Sequence, residues 1–241
     1  MIDEILTPLN HREIAHDAKG LSGCEIPDSP LYACGEAKIL LDWIGQTGDR
    51  VFDNDLVMDY GTDCLRLYLL FENTPKENDA PFYESWNEGA LEGMYKFLGR
   101  YRRMILTACT WNRRGGYCGI SKERIETMQN ALETAKKKMD QCIRRANTMP
   151  NRHNIVSALM ELLNILQKEL DIGEIITQIR QHAVKTAVPK NIHAEEKNND
   201  TNRIDFRGSE SETVEQIYRE YIRLMAPIAC DLSKILWQKI E

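Results

Sequence analysis

The sequence predicts a mainly α-helical protein, in which a helical bundle follows a small irregular region with little β structure. Two observations predict this fold. Beyond about residue 50, apolar residues recur every three or four positions in several long segments, as they do on the buried face of a helix. Before residue 50, glycine and proline are frequent and such periodicity is scarce. The 241 residues, 42% of them apolar, suffice to bury one or two hydrophobic cores.

The N-terminal 50 residues are predicted to form loops with one strand over Lys38 to Trp43. The first predicted helix covers Asn54 to Tyr60, with Asp53 as its N-cap. We expect Gly61 to end this helix, because glycine adopts the left-handed conformation without a steric penalty. The periodic pattern that characterises the rest of the chain begins here.

Two helices are predicted next. Thr62 is expected to cap a helix that extends to about Glu72, with leucines at helical spacing. A polar stretch containing two prolines follows and is typical of a loop. A long helix is predicted from about Ser85 to Trp111, and the pair Gly115 and Gly116 lies beyond its end.

The central helices of the bundle have the clearest apolar periodicity. Ser121 is predicted to begin a helix whose apolar residues are Ile125, Met128, Leu132, Ala135, Met139 and Ile143. Pro150 marks the next break, and Asn151 to Leu170 is predicted as a strongly amphipathic helix. Another helix is expected over Glu174 to Ala187. Short breaks between these segments favour antiparallel neighbours in an up-and-down bundle.

The C-terminal part combines a polar insertion with a final helix. Residues 190–211 are almost entirely polar, and we predict a mobile loop there. The last helix is predicted over Glu212 to Lys239. Pro227 is expected to interrupt it, because proline removes one backbone hydrogen bond and clashes with the preceding turn.

The charge of the chain is unevenly distributed. The whole sequence has a net charge of −6, but residues 96–152 contain fourteen lysines and arginines against four acidic residues. This segment therefore has a net charge of +10, and the remainder has −16. Such asymmetry within one chain indicates a polyanionic partner such as nucleic acid. The alternative interpretation is a set of solvated helical faces with no partner.

Motifs of common enzyme classes are missing from the sequence. It contains no phosphate-binding Gly-x-x-x-x-Gly-Lys loop, no Gly-x-Gly-x-x-Gly motif and no His-Glu-x-x-His motif. The cysteines and histidines lack the spacing of a zinc site, so we expect neither a metal nor a cofactor. The seven cysteines are interpreted as reduced thiols. With no apolar run long enough for a membrane span and no secretory signal, we expect a cytoplasmic protein without membrane contact.

Four segments resemble the leucyl-tRNA synthetases, which are class I synthetases, and they occur in the order found in that family. Residues 55–71 resemble the stretch that follows the second catalytic signature, including its Tyr-Gly-Ala-Asp and Leu-Arg-Leu-Tyr pattern. Residues 86–100 resemble the Trp-x-x-x-Gly-Val-Glu-Gly segment of that family. The other two are residues 157–164 and residues 224–237. The chain is therefore identified as similar to the C-terminal region of these enzymes.

The resemblance implies a division into three parts. Residues 1–50 correspond to the degenerate end of the catalytic domain, and residues 51–84 to the helical segment that contacts the tRNA stem. Residues 85–241 correspond to the helical bundle called the anticodon-binding domain, with the flexible insertion at 190–211. The resemblance also implies recognition of RNA backbone and shape, because this family generally does not read the anticodon.

The catalytic signatures of the family are not found in this sequence. The half that contains the first signature is not among these 241 residues, and the second signature aligns with residues 42–46, where neither of its lysines is present. Asp42 places a carboxylate where a cation would stabilise phosphate charge. Two further departures are Ala90 at a usual glycine and Asp231 at a frequent histidine.

These features lead to three hypotheses. The first is a non-catalytic protein that binds tRNA or a tRNA-like RNA through phosphate contacts on a basic bundle. The second is the C-terminal subunit of a split synthetase, active only with a separate catalytic subunit. The third is an interaction or regulatory module without RNA binding. The predicted RNA-binding residues are Arg100, Arg103, Arg114, Lys137, Arg144 and Arg145, and Trp111 and Tyr117 are candidates either to stack on a base or to belong to the core.

Overall fold

A computed structural model describes residues 2–10, 12–14, 26–27, 30–33, 35–51, 54–72, 87–145, 152–187 and 209–241. Side chains at 30, 45–51, 54 and 182–187 are not described. Ten α-helices of five or more residues occur in these ranges, together with a 3₁₀ turn at Pro30–Tyr32. The described residues include no β-strand, so the predicted mainly helical bundle is confirmed.

The helices are numbered here in chain order. The N-terminal part contains α1 (Ile2–Leu6), α2 (Gly35–Val51), α3 (Asn54–Tyr60) and α4 (Thr62–Phe71). The long helices are α5 (Glu88–Asn112), α6 (Lys122–Arg144), α7 (His153–Glu169), α8 (Ile172–Ala187), α9 (Ser209–Met225) and α10 (Cys230–Ile240).

The long helix α5 lies at the centre of the packing. It contacts α1, α4, α7, α8, α9 and α10, while α6 packs mainly on α7 and α9. Helix α7 contacts both α5 and α6, and so joins the two most basic helices of the chain. Helix α2 packs on α4 and α6. The N-terminal helices therefore pack directly on the bundle.

The core contains apolar residues from every helix except α3. It also contains tyrosines whose hydroxyl groups form hydrogen bonds. The rings of Tyr101 and Tyr221 meet edge to face, with centroids 5.2 Å apart. The Tyr221 hydroxyl donates to the Leu159 carbonyl oxygen at 2.9 Å. The Tyr101 hydroxyl lies 3.4 Å from the Ser233 hydroxyl. These contacts connect α5, α7, α9 and α10 around one centre.

The strand predicted over residues 38–43 is wrong, because this segment belongs to helix α2. Ala37, Leu40 and Ile44 are buried in the core, and their spacing of three and four residues is that of a helical face. Three consecutive apolar residues fit a strand or a buried helix equally well, so the local pattern did not distinguish them.

Two predicted helix starts also differ from the structure. Helix α4 has Gly61 at its N-cap with φ of 80°, so Thr62 is the first helical residue and not the cap. Helix α5 begins at Glu88, and the Asn87 side chain accepts a hydrogen bond from the Ala90 N–H. Ser85 and Asp53 lie outside the described residues.

Other predicted boundaries are confirmed. The Ser121 hydroxyl accepts a hydrogen bond from the Arg124 N–H and caps α6. Pro227 lies in the turn between α9 and α10, so the expected interruption is a complete break. Of the predicted loop at 190–211, the last three residues open α9, and residues 190–208 lie outside the described part.

No helix in the described ranges is both long enough and apolar enough to span a membrane.

Candidate nucleic-acid interface

Arg100 is fixed by two neutral side chains across the contact between α5 and α7. Its Nη2 donates to the Asn164 Oδ1 at 2.5 Å and to the Gln167 Oε1 at 2.6 Å. Arg100 and Asn164 are both exposed. Because an amide oxygen carries no net charge, these bonds orient the guanidinium without neutralising it. Both of these hydrogen bonds use Nη2, so they leave the donors of Nε and Nη1 unused.

Lys96 and Arg103 lie on the same side of α5 as Arg100, at spacings of four and three residues. We call these three residues the α5 basic face. Lys96 forms an exposed ion pair with Glu92 at 2.8 Å, a contact of little energetic weight in water. Arg103 is half-buried and has no ion pair among the described residues. This face therefore has a positive charge with one weak local counter-charge.

Arg114 lies beyond the C-terminus of α5, in the turn that leads to α6. Its side chain is exposed and makes no ion pair within the described ranges. The neighbouring Arg113 donates to the Lys239 carbonyl oxygen at 3.1 Å, and so caps the last turn of α10. Arg113 therefore connects the end of α5 to the end of α10, whereas the Arg114 side chain is exposed to solvent.

The outer face of α6 carries both signs of charge. Lys137 and Arg144 lie there together with three acidic residues, Glu126, Glu133 and Asp140. Consecutive members of this set are three, four or seven residues apart, which places them on one side of the helix. The Arg144 Nε contacts both Asp140 carboxylate oxygens, at 2.8 and 2.9 Å. This face is called the α6 mixed face below. Arg145 follows Arg144 at the C-cap of α6, and its side chain is exposed.

Several cations of residues 96–152 are paired with carboxylates of the bundle. Lys136 pairs with Glu133 and with Glu220 on α9, at 3.3 and 3.2 Å. Lys138 pairs with Glu161 on α7. Arg124 pairs with Asp171 at 2.8 Å. The net charge of +10 thus overstates the cations that are free to meet a polyanion.

The predicted RNA-binding residues fall into three places in the structure. Arg100 and Arg103 lie on α5, Arg114 lies in the turn after it, and Lys137, Arg144 and Arg145 lie on α6. Helix α7 separates the first group from the third, since Arg100 reaches α7 from α5 and Lys138 reaches it from α6.

The sequence analysis missed Asn164 and Gln167. They are 64 and 67 residues from Arg100 in the chain, and apart from the place of Asn164 in the 157–164 segment their local signal is a polar i, i+3 pair on the outside of an amphipathic helix. Such pairs are common on solvated helices.

A buried carboxylate joins α4 to α10. The Asp63 oxygens accept hydrogen bonds from the backbone N–H groups of Leu232, at 2.8 Å, and Asp231, at 3.3 Å. Arg66 lies 3.8 Å from the same carboxylate and also contacts the Cys230 sulfur. This α4–α10 joint connects two of the segments that resemble leucyl-tRNA synthetases.

The electrostatics of the α4–α10 joint depend on burial. The pKa of Asp63 is raised to about 7, mainly by burial and in part by the Asp231 carboxylate. The two backbone N–H groups and the Arg66 guanidinium act in the opposite direction. The adjacent cavity has a volume of about 20 Å³, room for a water-sized group. The α4–α10 joint therefore has a structural role. Asp231, which stands where the family frequently has histidine, acts directly on the pKa of Asp63.

The segment aligned with the second catalytic signature lies within helix α2. Asp42 is exposed, while Ile44 is buried in the core. The Arg152 guanidinium stacks over the Trp43 ring at 3.7 Å from its centre. In this chain the segment is therefore a helix packed on the bundle. Among the described residues, no group of three His, Cys, Asp or Glu side chains is arranged to hold a metal ion.

Comparison with known proteins identifies leucine–tRNA ligases as relatives. The chain is 23% identical to the enzyme of Alcanivorax borkumensis over 176 residues, which cover 70% of this chain and 20% of the ligase. It is 28% identical to that of Hydrogenovibrio crunogenus over 141 residues, covering 55% and 14%. It is 30% identical to that of Coxiella burnetii over 131 residues, covering 50% and 14%.

No family model matches the chain, and no solved structure matches it. The aligned part spans a fifth or less of the length of these three ligases. The predicted resemblance to the leucyl-tRNA synthetases is confirmed by these partial matches. The chain is leucyl-tRNA synthetase-like, and the matched part is consistent with the C-terminal region of those enzymes.

Proposed function

We propose that this protein binds tRNA or a tRNA-like RNA through the α5 basic face, and that it does not activate an amino acid on its own. The observation that carries this proposal is the Arg100 guanidinium, exposed and held by two neutral amide oxygens. An arginine fixed in this way loses little conformational entropy when it contacts a phosphate. The similarity to leucine–tRNA ligases supports tRNA-like RNA as the polyanion.

Binding would depend on the release of counterions. Each phosphate that a lysine or arginine neutralises releases condensed cations, so affinity falls as the salt concentration rises. Lys96, Arg100 and Arg103 supply two or three such contacts along one side of α5, and Arg114 adds one beyond the helix end. As the family resemblance implies, we expect these contacts to be to the RNA backbone and to its shape.

Two observations support the absence of catalysis by the chain alone. The segment aligned with the second signature contains no lysine, so it offers no cation to stabilise negative charge on ATP phosphates. The same segment is part of α2, whose apolar residues pack on α4 and α6. A mobile catalytic loop would require this helix to leave the core.

The test is tRNA binding by two matched double variants. Arg100→Gln with Arg103→Gln removes two charges from the α5 basic face. Lys137→Gln with Arg144→Gln removes two charges from the α6 mixed face. For the first variant we expect affinity to fall about tenfold or more, and the slope of log affinity against log salt to lose about 2. The second variant should change both quantities much less.

Equal losses in the two variants would show that only net charge matters and would contradict the assignment to α5. Undetectable binding of total tRNA by the unmodified protein at low salt would end the proposal. In either case circular dichroism of each variant must show intact helix content.

A groove between α6 and α9 supports the interaction module as a second candidate function. Its volume is about 860 Å³, and Leu132 and Ile217 lie in it beside the charged residues Lys136, Glu220 and Arg223. Paired charges around apolar residues are typical of protein-binding surfaces. This candidate would gain support if tRNA binding were absent and changes at Ile217 abolished capture of a protein partner.

A further inference from the structure

Arg100, Asn164 and Gln167 form a cluster across α5 and α7, which we call the Arg100 cluster. Arg100 and Asn164 are exposed, and Gln167 is half-buried. Because a guanidinium has donors and no acceptor, the oxygen of each amide must face Arg100. The NH₂ groups of Asn164 and Gln167 are therefore the ends of the amides that Arg100 does not use.

The unused nitrogen atoms of the Arg100 cluster are all hydrogen-bond donors. Arg100 keeps its N–H groups at Nε and Nη1, and each amide keeps its NH₂ group. None of these donors has an acceptor among the described residues. A ligand with several lone pairs and a negative charge satisfies such a cluster, whereas a cation would face donors and a guanidinium.

Two other exposed amides use their NH₂ groups on carboxylates of the chain. The Gln178 Nε2 donates to the Glu174 Oε1 at 3.2 Å. The Asn87 Nδ2 donates to the Glu72 Oε1 at 3.4 Å. The amides of the Arg100 cluster differ from these, because a cation fixes their oxygens and leaves their donors to a ligand.

The two NH₂ groups lie close enough to the guanidinium to share one ligand with it. Covalent bond lengths place each amide nitrogen within about 2.6 Å of the oxygen of the same amide. Because these oxygens are 2.5 and 2.6 Å from the Arg100 Nη2, both amide nitrogens lie within about 5 Å of that atom. Oxygens of a single phosphate can accept hydrogen bonds of about 2.8 Å from donors at this separation.

The carboxylates of α7 have cationic partners of their own. Glu161 lies three residues before Asn164 and pairs with Lys138 on α6. Glu169 is mostly buried and contacts the Lys168 Nζ at 3.5 Å. Lys168 is exposed and lies four residues after Asn164, so it adds a positive charge to the same side of α7. The surroundings of the cluster therefore also favour an anion.

We infer that the Arg100 cluster binds one phosphate of the RNA backbone, and that the NH₂ groups of Asn164 and Gln167 donate to its oxygens beside the Arg100 guanidinium. The inference rests on the proposed function, because it takes RNA as the ligand. It extends the interface from α5 onto α7. The two amides then bind the ligand directly, in addition to orienting Arg100.

The two aromatic residues considered for base stacking do not belong to this site. Trp111 is near the other end of α5, and an added Cβ at Gly116 would lie 2.1 Å from its indole nitrogen, so Gly116 packs against the ring. Tyr117 is buried, and its hydroxyl donates to the Leu170 carbonyl oxygen at 3.3 Å. We therefore expect the cluster to contact the backbone and not a base.

A carboxylate of an acidic protein partner is the competing occupant, since it also accepts from a guanidinium. The neighbouring cations favour RNA. Lys96 and Arg103 lie one turn before and one turn after Arg100 on α5, and a nucleic-acid strand repeats its negative charge along its length. The acidic protein partner is an outcome of the test.

The experiment is a double-mutant cycle on tRNA affinity at one low salt concentration. One change is Asn164→Ala with Gln167→Ala, the other is Arg100→Ala, and the fourth protein combines them. If the amides act only by orienting Arg100, their removal has no effect once Arg100 is alanine. If they donate to a phosphate, their removal lowers the affinity in that background as well.

We expect removal of the amides to lower the affinity about tenfold when Arg100 is present and about fivefold in the Arg100→Ala background. The matched control is Asn130→Ala with Gln141→Ala, which removes two exposed amides from α6 and should lower the affinity less than about twofold. Circular dichroism must show the same helix content for every variant.

A second readout makes failure of this inference distinguishable from failure of the proposed function. The side-chain NH₂ signals of Asn164 and Gln167 are assigned by NMR with Asn164→Ala and Gln167→Ala. They are then followed during addition of UpU, a dinucleotide with one phosphodiester, or of uridine, which has none. We expect UpU to shift both signals and uridine to leave them unchanged. This readout requires no tRNA binding.

Amide signals that UpU leaves unchanged overturn the inference, and so does a loss below about twofold when the amides are removed in the Arg100→Ala background. Signals that respond to N-acetyl-aspartate amide but not to UpU also overturn it, in favour of the acidic protein partner. If tRNA does not bind but UpU shifts the signals as described, the phosphate site is retained and the tRNA proposal is lost.

Discussion

The α4–α10 joint and the α5 basic face hold a charged group in the same way, yet in opposite environments. In the joint, two backbone N–H groups donate to the Asp63 carboxylate in the core, and the only nearby cation, Arg66, lies 3.8 Å away among the described residues. On the α5 face, the amide oxygens of Asn164 and Gln167 hold the Arg100 guanidinium at the surface. The comparison teaches that neutral partners fix a charge without cancelling it. A buried charged group affects the free energy of unfolding, whereas an exposed one is available to bind a ligand.

The largest expected effect on stability comes from truncation in the joint. Asp63→Ala would leave the N–H groups of Asp231 and Leu232 without acceptors in the core. We expect the free energy of unfolding to fall by roughly 2–4 kcal/mol, as measured by urea denaturation. The control Asp59→Ala changes an exposed carboxylate on α3 and should cost less than about 0.5 kcal/mol. Similar values for the two variants would contradict the structural role of Asp63.

The pH dependence of stability sharpens the same contrast. Because the pKa of Asp63 is about 7 in the folded protein and near 3.8 when unfolded, the folded state binds the extra proton between these values. Stability contributed by Asp63 is therefore greatest below about pH 4 and is lost as the pH rises toward 7.

This prediction is measured as the difference in unfolding free energy between the unmodified protein and Asp63→Asn, from pH 4 to pH 7. The difference should fall by up to about 1.4 kcal/mol per pH unit. A difference that stays constant across this range would show that the two backbone N–H groups and Arg66 outweigh burial, and that Asp63 is ionised throughout.

The smallest expected effect on stability concerns the α6 mixed face. Asp140→Asn breaks the exposed ion pair with Arg144 and should change the unfolding free energy by less than about 0.5 kcal/mol. Urea denaturation at low salt is the appropriate measurement, because screening weakens such pairs further. A loss above about 1 kcal/mol would show that the exposed Arg144–Asp140 pair also stabilises the fold, and would contradict the difference between buried and exposed charges.

The sequence was sufficient for the fold class because the apolar spacing of the long helices is regular. Ser121 was found as a cap since it immediately precedes such a pattern. The N-terminal region was misinterpreted at residues 38–43, where helical burial follows from packing on α4 and α6 and not from local propensity.

The candidate interface was predictable only in part. Charge counting found the cations, but it treated Arg100 and Arg144 as equivalent. They differ because one contacts amides on another helix and the other contacts a carboxylate one turn away. Partners distant in the chain, such as Asn164, become visible only in the folded protein. The Asp63 joint was hidden for the same reason, since its donors lie 168 and 169 residues away.

The most direct test of the account changes the partner of Arg100 and leaves the arginine itself in place. Asn164→Asp puts a carboxylate against the guanidinium, and Asn130→Asp makes the same change at an exposed position of α6. We predict that Asn164→Asp lowers the affinity for tRNA about tenfold at low salt, whereas Asn130→Asp lowers it no more than about twofold. Equal affinities of the two variants would contradict the claim that neutral partners leave Arg100 free to bind RNA.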